Sequence, residues 1–136
     1  MAVSELHIPA TNNTPEILLI PNGFIRMDGR GLTGLNIEIS EKILFWINEY
    51  LNDPQEITEI IVALEYLNSA SAKILVAILR EISKVKEKSC QLFVHWCYED
   101  EDEDIRERGE FISQSLSIPI DFIRCKNIKH CCRSIC

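Results

Sequence analysis

The residues best placed to do chemistry fall in three stretches. The first, Tyr66-Leu67-Asn68-Ser69-Ala70-Ser71, joins an isoleucine-rich apolar run to a helical pattern. The carboxyl end of a central strand in an α/β sheet is where functional loops sit. A hydroxyl beside a helix start meets unsatisfied backbone N–H groups and the positive end of the helix dipole. A phosphoryl group on Ser69 would add about −1.5 to −2 charge and three acceptor oxygens there. The plainer reading is that Asn68 or Ser69 is an N-cap. Ser69 lacks the Gly-x-Ser-x-Gly flanks of a hydrolase nucleophile. The second stretch, Glu99 to Asp104, is six consecutive acids. Such a run either complements a helix dipole or offers a basic partner a docking face that steers association. Its acids are contiguous rather than spaced around a glycine, which argues against a calcium loop. The third stretch is the tail, with Cys125, His130, Cys131, Cys132 and Cys136. Structural zinc is held by spaced cysteine pairs from two segments. Here two thiols are adjacent and all candidates share one stretch, so no metal is expected. Cys-x-x-Cys is absent too, although Lys129, His130 and Arg133 supply the positive charge that thiol reactivity needs.

Nothing else suggests catalysis. His7, His95 and His130 lie in three contexts without an evident nucleophile, and neither a Walker loop nor a dinucleotide fingerprint is present. The chain reads as a non-enzyme without a cofactor. It has 136 residues, 46% hydrophobic and 26% charged, and a formal charge of −7. That is one globular domain with enough chain to bury a core unaided. The acidic balance argues against nucleic acid, whose binding rests on clustered Lys and Arg. No apolar run approaches the roughly 20 residues that span a bilayer. The N-terminus has neither the basic nor the apolar region of a signal peptide, so a cytoplasmic protein with reduced thiols is expected. Charge is uneven: Phe122 to Cys136 holds four basic residues and no acid, leaving −11 on the first 121. A basic end on an acidic body either pairs with that body or meets a partner.

The elements that must position these residues follow from periodicity. Residues 1–16 are polar with Pro9 and Pro15 and read as an irregular arm. Ile17–Ile20 and Phe24–Met27 flank Pro21-Asn22-Gly23, a hairpin signal. Ile39, Ile43, Leu44, Ile47, Tyr50 and Leu51 have helical spacing, with Ser40 as cap or first-turn residue. Ile57–Leu64 reads as a central strand covered on both faces, and Ala72, Leu75, Val76, Leu79, Ile82 and Val85 give a second helix its buried stripe. Along Gln91–Tyr98, Leu92, Val94, Trp96 and Tyr98 share one face while Phe93 and Cys97 share the other. Ile105, Phe111, Ile112 and Leu116 suggest a third helix, and Ile118–Ile123 a last strand. The order ββαβαβαβ implies a single-domain α/β sandwich: a mixed, mainly parallel five-stranded sheet with three helices and right-handed crossovers.

At the level of motifs the chain resembles the SiaC-type family of bacterial regulatory phosphoproteins, similar in fold to STAS anti-sigma-factor antagonists. The resemblance runs from about Leu6 to Ile123. It is carried by Thr14-Pro15-Glu16-Ile17, Gly29-Arg30, Trp46, Leu64-Glu65-Tyr66-Leu67-Asn68-Ser69-Ala70-Ser71-Ala72-Lys73, His95-Trp96-Cys97-Tyr98-Glu99-Asp100 and Gly109-Glu110-Phe111. It implies a partner switch. A cognate kinase phosphorylates a Ser or Thr at the strand-to-helix junction, a PP2C-type phosphatase removes the phosphate, and the unmodified form regulates a target such as a diguanylate cyclase. The family's acceptor Thr falls on Ser69, with Ser71 as the fallback. Tyr66, Asn68, Ser69, Ser71, Lys73 and Arg30 become the expected partner-binding residues. The family's Gly-Arg-Ser-x-Pro-Glu-Asn is here Gly29-Arg30-Gly31-Leu32-Thr33-Gly34-Leu35. The resemblance divides the chain into a regulatory domain, residues 1–124, and a Cys-rich basic tail, residues 125–136. Two other classes remain open at this point. One is a zinc- or thiol-redox-dependent protein using Cys125, Cys131, Cys132 and Cys136, and the other is a constitutive binding module that is never phosphorylated.

Overall fold

The first strand is one the sequence pattern does not announce. In the computed structural model, which describes residues 3–29 and 35–126, Leu6–Ile8 (β1) pairs antiparallel with Glu16–Ile20 (β2), Leu6 opposite Leu19 and Ile8 opposite Ile17. The sheet therefore has six strands, not five, and the arm expected to be irregular supplies one of them. Three residues carry too little alternation to be read as a strand by period alone; the neighbouring edge decides it. From β2 the chain turns at Gly23 into Phe24–Gly29 (β3), again antiparallel. Gly23 has φ +100, and a Cβ there would lie 2.5 Å from the Ile57 carbonyl oxygen. The tight turn and the close approach both require glycine.

The rest is strand and helix in alternation. Ile37–Tyr50 (α1), Ile57–Leu64 (β4), Ser69–Ile82 (α2), Gln91–Glu99 (β5), Glu103–Leu116 (α3) and Ile120–Cys125 (β6) follow, with a 3-10 segment at Ser83–Lys88 after α2. The strands lie in chain order across the sheet, and β3–β4, β4–β5 and β5–β6 are parallel. Each crossover steps one strand further in the same direction, so right-handed connections put all three helices on one face. Ile43 and Ile47 of α1, Leu75 and Leu79 of α2, and Ile105 and Ile112 of α3 meet Ile17, Ile25, Ile60, Val62, Val94 and Trp96 in one core. The opposite face, expected to be covered as well, carries no helix among the described residues. It holds a smaller apolar cluster of Ile61, Ala63, Cys97 and Cys125.

Local sequence explains the helix starts. Asn36, not Ser40, caps α1: its Oδ1 accepts from the Ile39 N–H at 2.9 Å, and Ser40 lies inside the helix. Asn68 and Asp102 cap α2 and α3 in the same way. α3 approaches the sheet closely because residue 109 is glycine; a Cβ there would sit 2.7 Å from Trp96 and 2.8 Å from Phe122. No helix among the described residues is long and apolar enough to cross a membrane.

Candidate functional site

The junction between β4 and α2 alternates between inward and outward residues. The Glu65 N–H donates to the Gly29 carbonyl at 3.0 Å, tying the end of β4 to the end of β3. Tyr66 is exposed, and Leu67 is buried and anchors the loop in the core. Asn68 stays extended (φ −85, ψ 177), and its Oδ1 accepts from the Ser71 N–H at 2.7 Å. Its carbonyl accepts from the Ala72 N–H at 2.8 Å. The cap reading of Asn68 thus holds, and Ser69 becomes the first residue of the helix rather than its cap.

That assignment separates the two serines. Ser69 is exposed, with its side chain in the first turn of a helix that has no acid of its own there. Ser71 is 0% exposed and its Oγ donates to the Leu35 carbonyl at 3.3 Å, linking the start of α2 to the approach to α1. Two residues of helix rotate the side chain by about 200°, from solvent to core.

Ser69 opens onto a groove of about 1020 Å³ between α2 and α3. Tyr66, Asn68 and Lys73 line it from the junction side, as the sequence reading expects. Arg80, Arg108 and Phe111, which that reading did not place there, complete it. Phe111 counts among the apolar residues of the third helix in the pattern, yet it is 68% exposed, because Ile105 and Ile112 take the inward positions. Only the packing of two helices separated in sequence brings these groups together.

The acidic run is largely accounted for by α3. Asp102 Oδ1 accepts from the Ile105 N–H at 3.1 Å, Glu103 and Asp104 occupy the first turn, and Asp100 lies 3.8 Å from Arg124. These acids favour the helix dipole, while Asp102 and Asp104 also face the groove.

The remaining candidates lie elsewhere. Arg30, His130, Cys131, Cys132 and Cys136 lie outside the described residues. Cys125 ends β6 and is disulfide-bonded, which departs from the expectation of reduced thiols. No group of three or more His, Cys, Asp or Glu among the described residues could hold a metal ion. His7 and His95 are on the helix-free face, His7 2.9 Å from Glu16 and His95 between Asp121 at 3.4 Å and Glu59 at 3.7 Å.

Fold and junction define a small α/β domain that presents a hydroxyl at a helix start beside a groove. Residues 8–125 match the model of the SiaC family regulatory phosphoprotein, and the chain belongs to that family. It is similar to the structure of SiaC of Pseudomonas aeruginosa, with a TM-score of 0.77 and 26% identity, covering 90% of this chain and 99% of that one. It is also similar to a chain in the crystal structure of the diguanylate cyclase SiaD with its activator SiaC from the same organism. That match has a TM-score of 0.76 and 26% identity and covers 88% of this chain and 99% of the other. An uncharacterised protein of P. aeruginosa is 28% identical over 118 residues, which is 86% of this chain and 94% of that protein.

Proposed function

We propose that this protein is a non-catalytic signalling domain whose unmodified form binds and regulates a target, in the first instance a diguanylate cyclase, and whose grip is released by phosphorylation of Ser69. The single observation that carries the choice of residue is the exposure of Ser69 at the head of α2, against the burial of Ser71 two residues on. Family membership and the relative solved with a diguanylate cyclase support the class of target. Tyr66, Asn68, Ser69 and Lys73 form the contact surface in this reading, with Arg30 beside them and Ser71 supporting the loop from below. A cognate kinase adds the phosphate and a PP2C-type phosphatase removes it. Mechanistically, a group of about −1.5 to −2 charge beside a partner's contact surface acts by repulsion and desolvation.

The test is intact mass and phosphopeptide mapping of the protein from its own cells, with and without phosphatase treatment. One phosphoryl group on Ser69 is the expected result. Phosphate on Ser71 would refute the choice of residue, and its absence under all growth conditions would refute the switch.

A further inference from the structure

The helix-free face of the sheet is better buried than an open face can be. Ile61 and Ala63 are 0% exposed and Cys97 is 1% exposed, yet α1, α2 and α3 all pack on the other side. A sheet face turned to water leaves its central side chains partly wet. The burial is also local. At the opposite end of the same face, Phe93 is 46% exposed and Ile57 is 50% exposed. The dry patch lies at the carboxyl ends of β4, β5 and β6, where the chain leaves the sheet after Cys125.

We propose that the tail, residues 127–136, lies back across this face and covers Ile61, Ala63, Cys97 and Ile123. Three properties fit that occupant. The first is reach: ten residues span up to roughly 33 Å when extended, and the five spacings of a six-stranded sheet total only about 24 Å. The second is charge. The face carries Glu16, Asp28, Glu59, Glu99 and Asp121 against Arg26 alone among permanently charged bases, as strand register places them. The tail brings Lys129 and Arg133 and no acid. The third is the covalent tie. Cys125 is on this face in a disulfide, whereas Cys90 and Cys97 are in none, so its partner lies beyond the described residues.

Alkylation of Cys97 reads the cover directly. Iodoacetamide labelling without reductant, mapped by peptide mass, compares the full chain with a chain ending at Lys126 and carrying Cys125→Ser. Cys90, on the helix side of the sheet, is the internal reference. Cys97 is expected to react at least ten-fold faster in the shortened chain, with Cys90 unchanged; equal Cys97 rates overturn the proposal. If Cys90 also accelerates, the shortened chain has loosened. A full-length chain with Cys131, Cys132 and Cys136 changed to Ser and with Lys129→Glu and Arg133→Glu then decides. A rise of at least three-fold at Cys97 alone supports the cover, and no rise overturns it. Protection of Cys97 that falls on dilution would assign the face to a second copy and also overturn the proposal.

Discussion

Substituting an aspartate at each of the two serines of the α2 start should move stability in opposite directions. At residue 69 the carboxylate stands in the first turn of a helix with no acid there, where the dipole contributes about 0.3–1 kcal/mol. Lys73 lies four residues on, and such a pair adds about 0.2–0.5 kcal/mol. The gain is therefore about 0.5–1.5 kcal/mol at low salt. At about 2.1 cal/mol/K per residue, unfolding 136 residues gives about 3.5 °C per kcal/mol, so Ser69→Asp should raise Tm by about 2–5 °C. Ser71→Asp instead puts an unpaired charge in a fully buried site, against the Leu35 carbonyl that the native hydroxyl donates to. Leaving a buried charge uncompensated costs about 3–5 kcal/mol, a loss of more than about 10 °C. Thermal melts followed by circular dichroism at low and high salt measure both. The Ser69→Asp gain should fade with salt and the Ser71→Asp loss should persist. A Ser71→Asp protein melting within about 3 °C of wild type would refute the burial of Ser71 and, with it, the ground for choosing between the serines.

Three further outcomes follow from local geometry. Asn68→Ala should cost about 1 kcal/mol and speed amide exchange in the first turn of α2. Asn68→Asp, which keeps an acceptor for the Ser71 N–H, should restore both. Gly109→Ala gains about 1 kcal/mol of helix propensity but pushes a methyl into Trp96 and Phe122, where overpacking costs about 1–3 kcal/mol. Urea unfolding should show net destabilisation, and equal stability would mean that α3 does not sit this close to the sheet. Glu16 is held below the usual glutamate range by its hydrogen bond to His7, with burial opposing and the charge of Arg26 assisting. A depressed carboxyl contributes stability above its unfolded pKa and loses it as pH falls through the folded one. Glu16→Gln should therefore flatten the fall in stability below about pH 4.3, and a curve parallel to wild type would contradict this.

How much of this was legible beforehand depends on how local each feature is. β4 is bounded as the isoleucine run suggests, Ile57–Leu64, and the two faces of β5 divide as its alternation implies. Both signals are contained in eight or nine residues. The missing strand, Leu6–Ile8, is stabilised by an edge rather than by its own pattern. The cap of α1 was placed four residues late because Ser40 is as good a capping type as Asn36; only the bond to the Ile39 N–H distinguishes them. The junction serines were both visible, but their opposite exposure follows from where α2 begins, which Asn68 decides. Arg80, Arg108 and Phe111 could not be assigned to the groove from sequence, since nothing in a single helix says which neighbour it will face.

If repulsion alone works the proposed switch, its strength must depend on salt in a definite way. The groove beside Ser69 holds Lys73, Arg80 and Arg108 against Glu65, Asp102, Asp104 and Glu107, a nearly even balance that one phosphoryl group would tilt by about −1.5 to −2. The caps and the core beneath are already satisfied by Asn68, Leu67 and Ser71, so the modification changes the charge a partner meets without requiring the domain to refold. The Debye length shrinks from about 10 Å at 0.1 M salt to about 3 Å at 1 M. The ratio of partner affinities between unmodified and Ser69-phosphorylated protein, measured by calorimetry, should then contract steadily over that range. A switch that worked by rearranging α2 would keep its ratio, because a lost contact surface is not restored by screening. A constant ratio would therefore refute the electrostatic mechanism while leaving Ser69 as the modified residue.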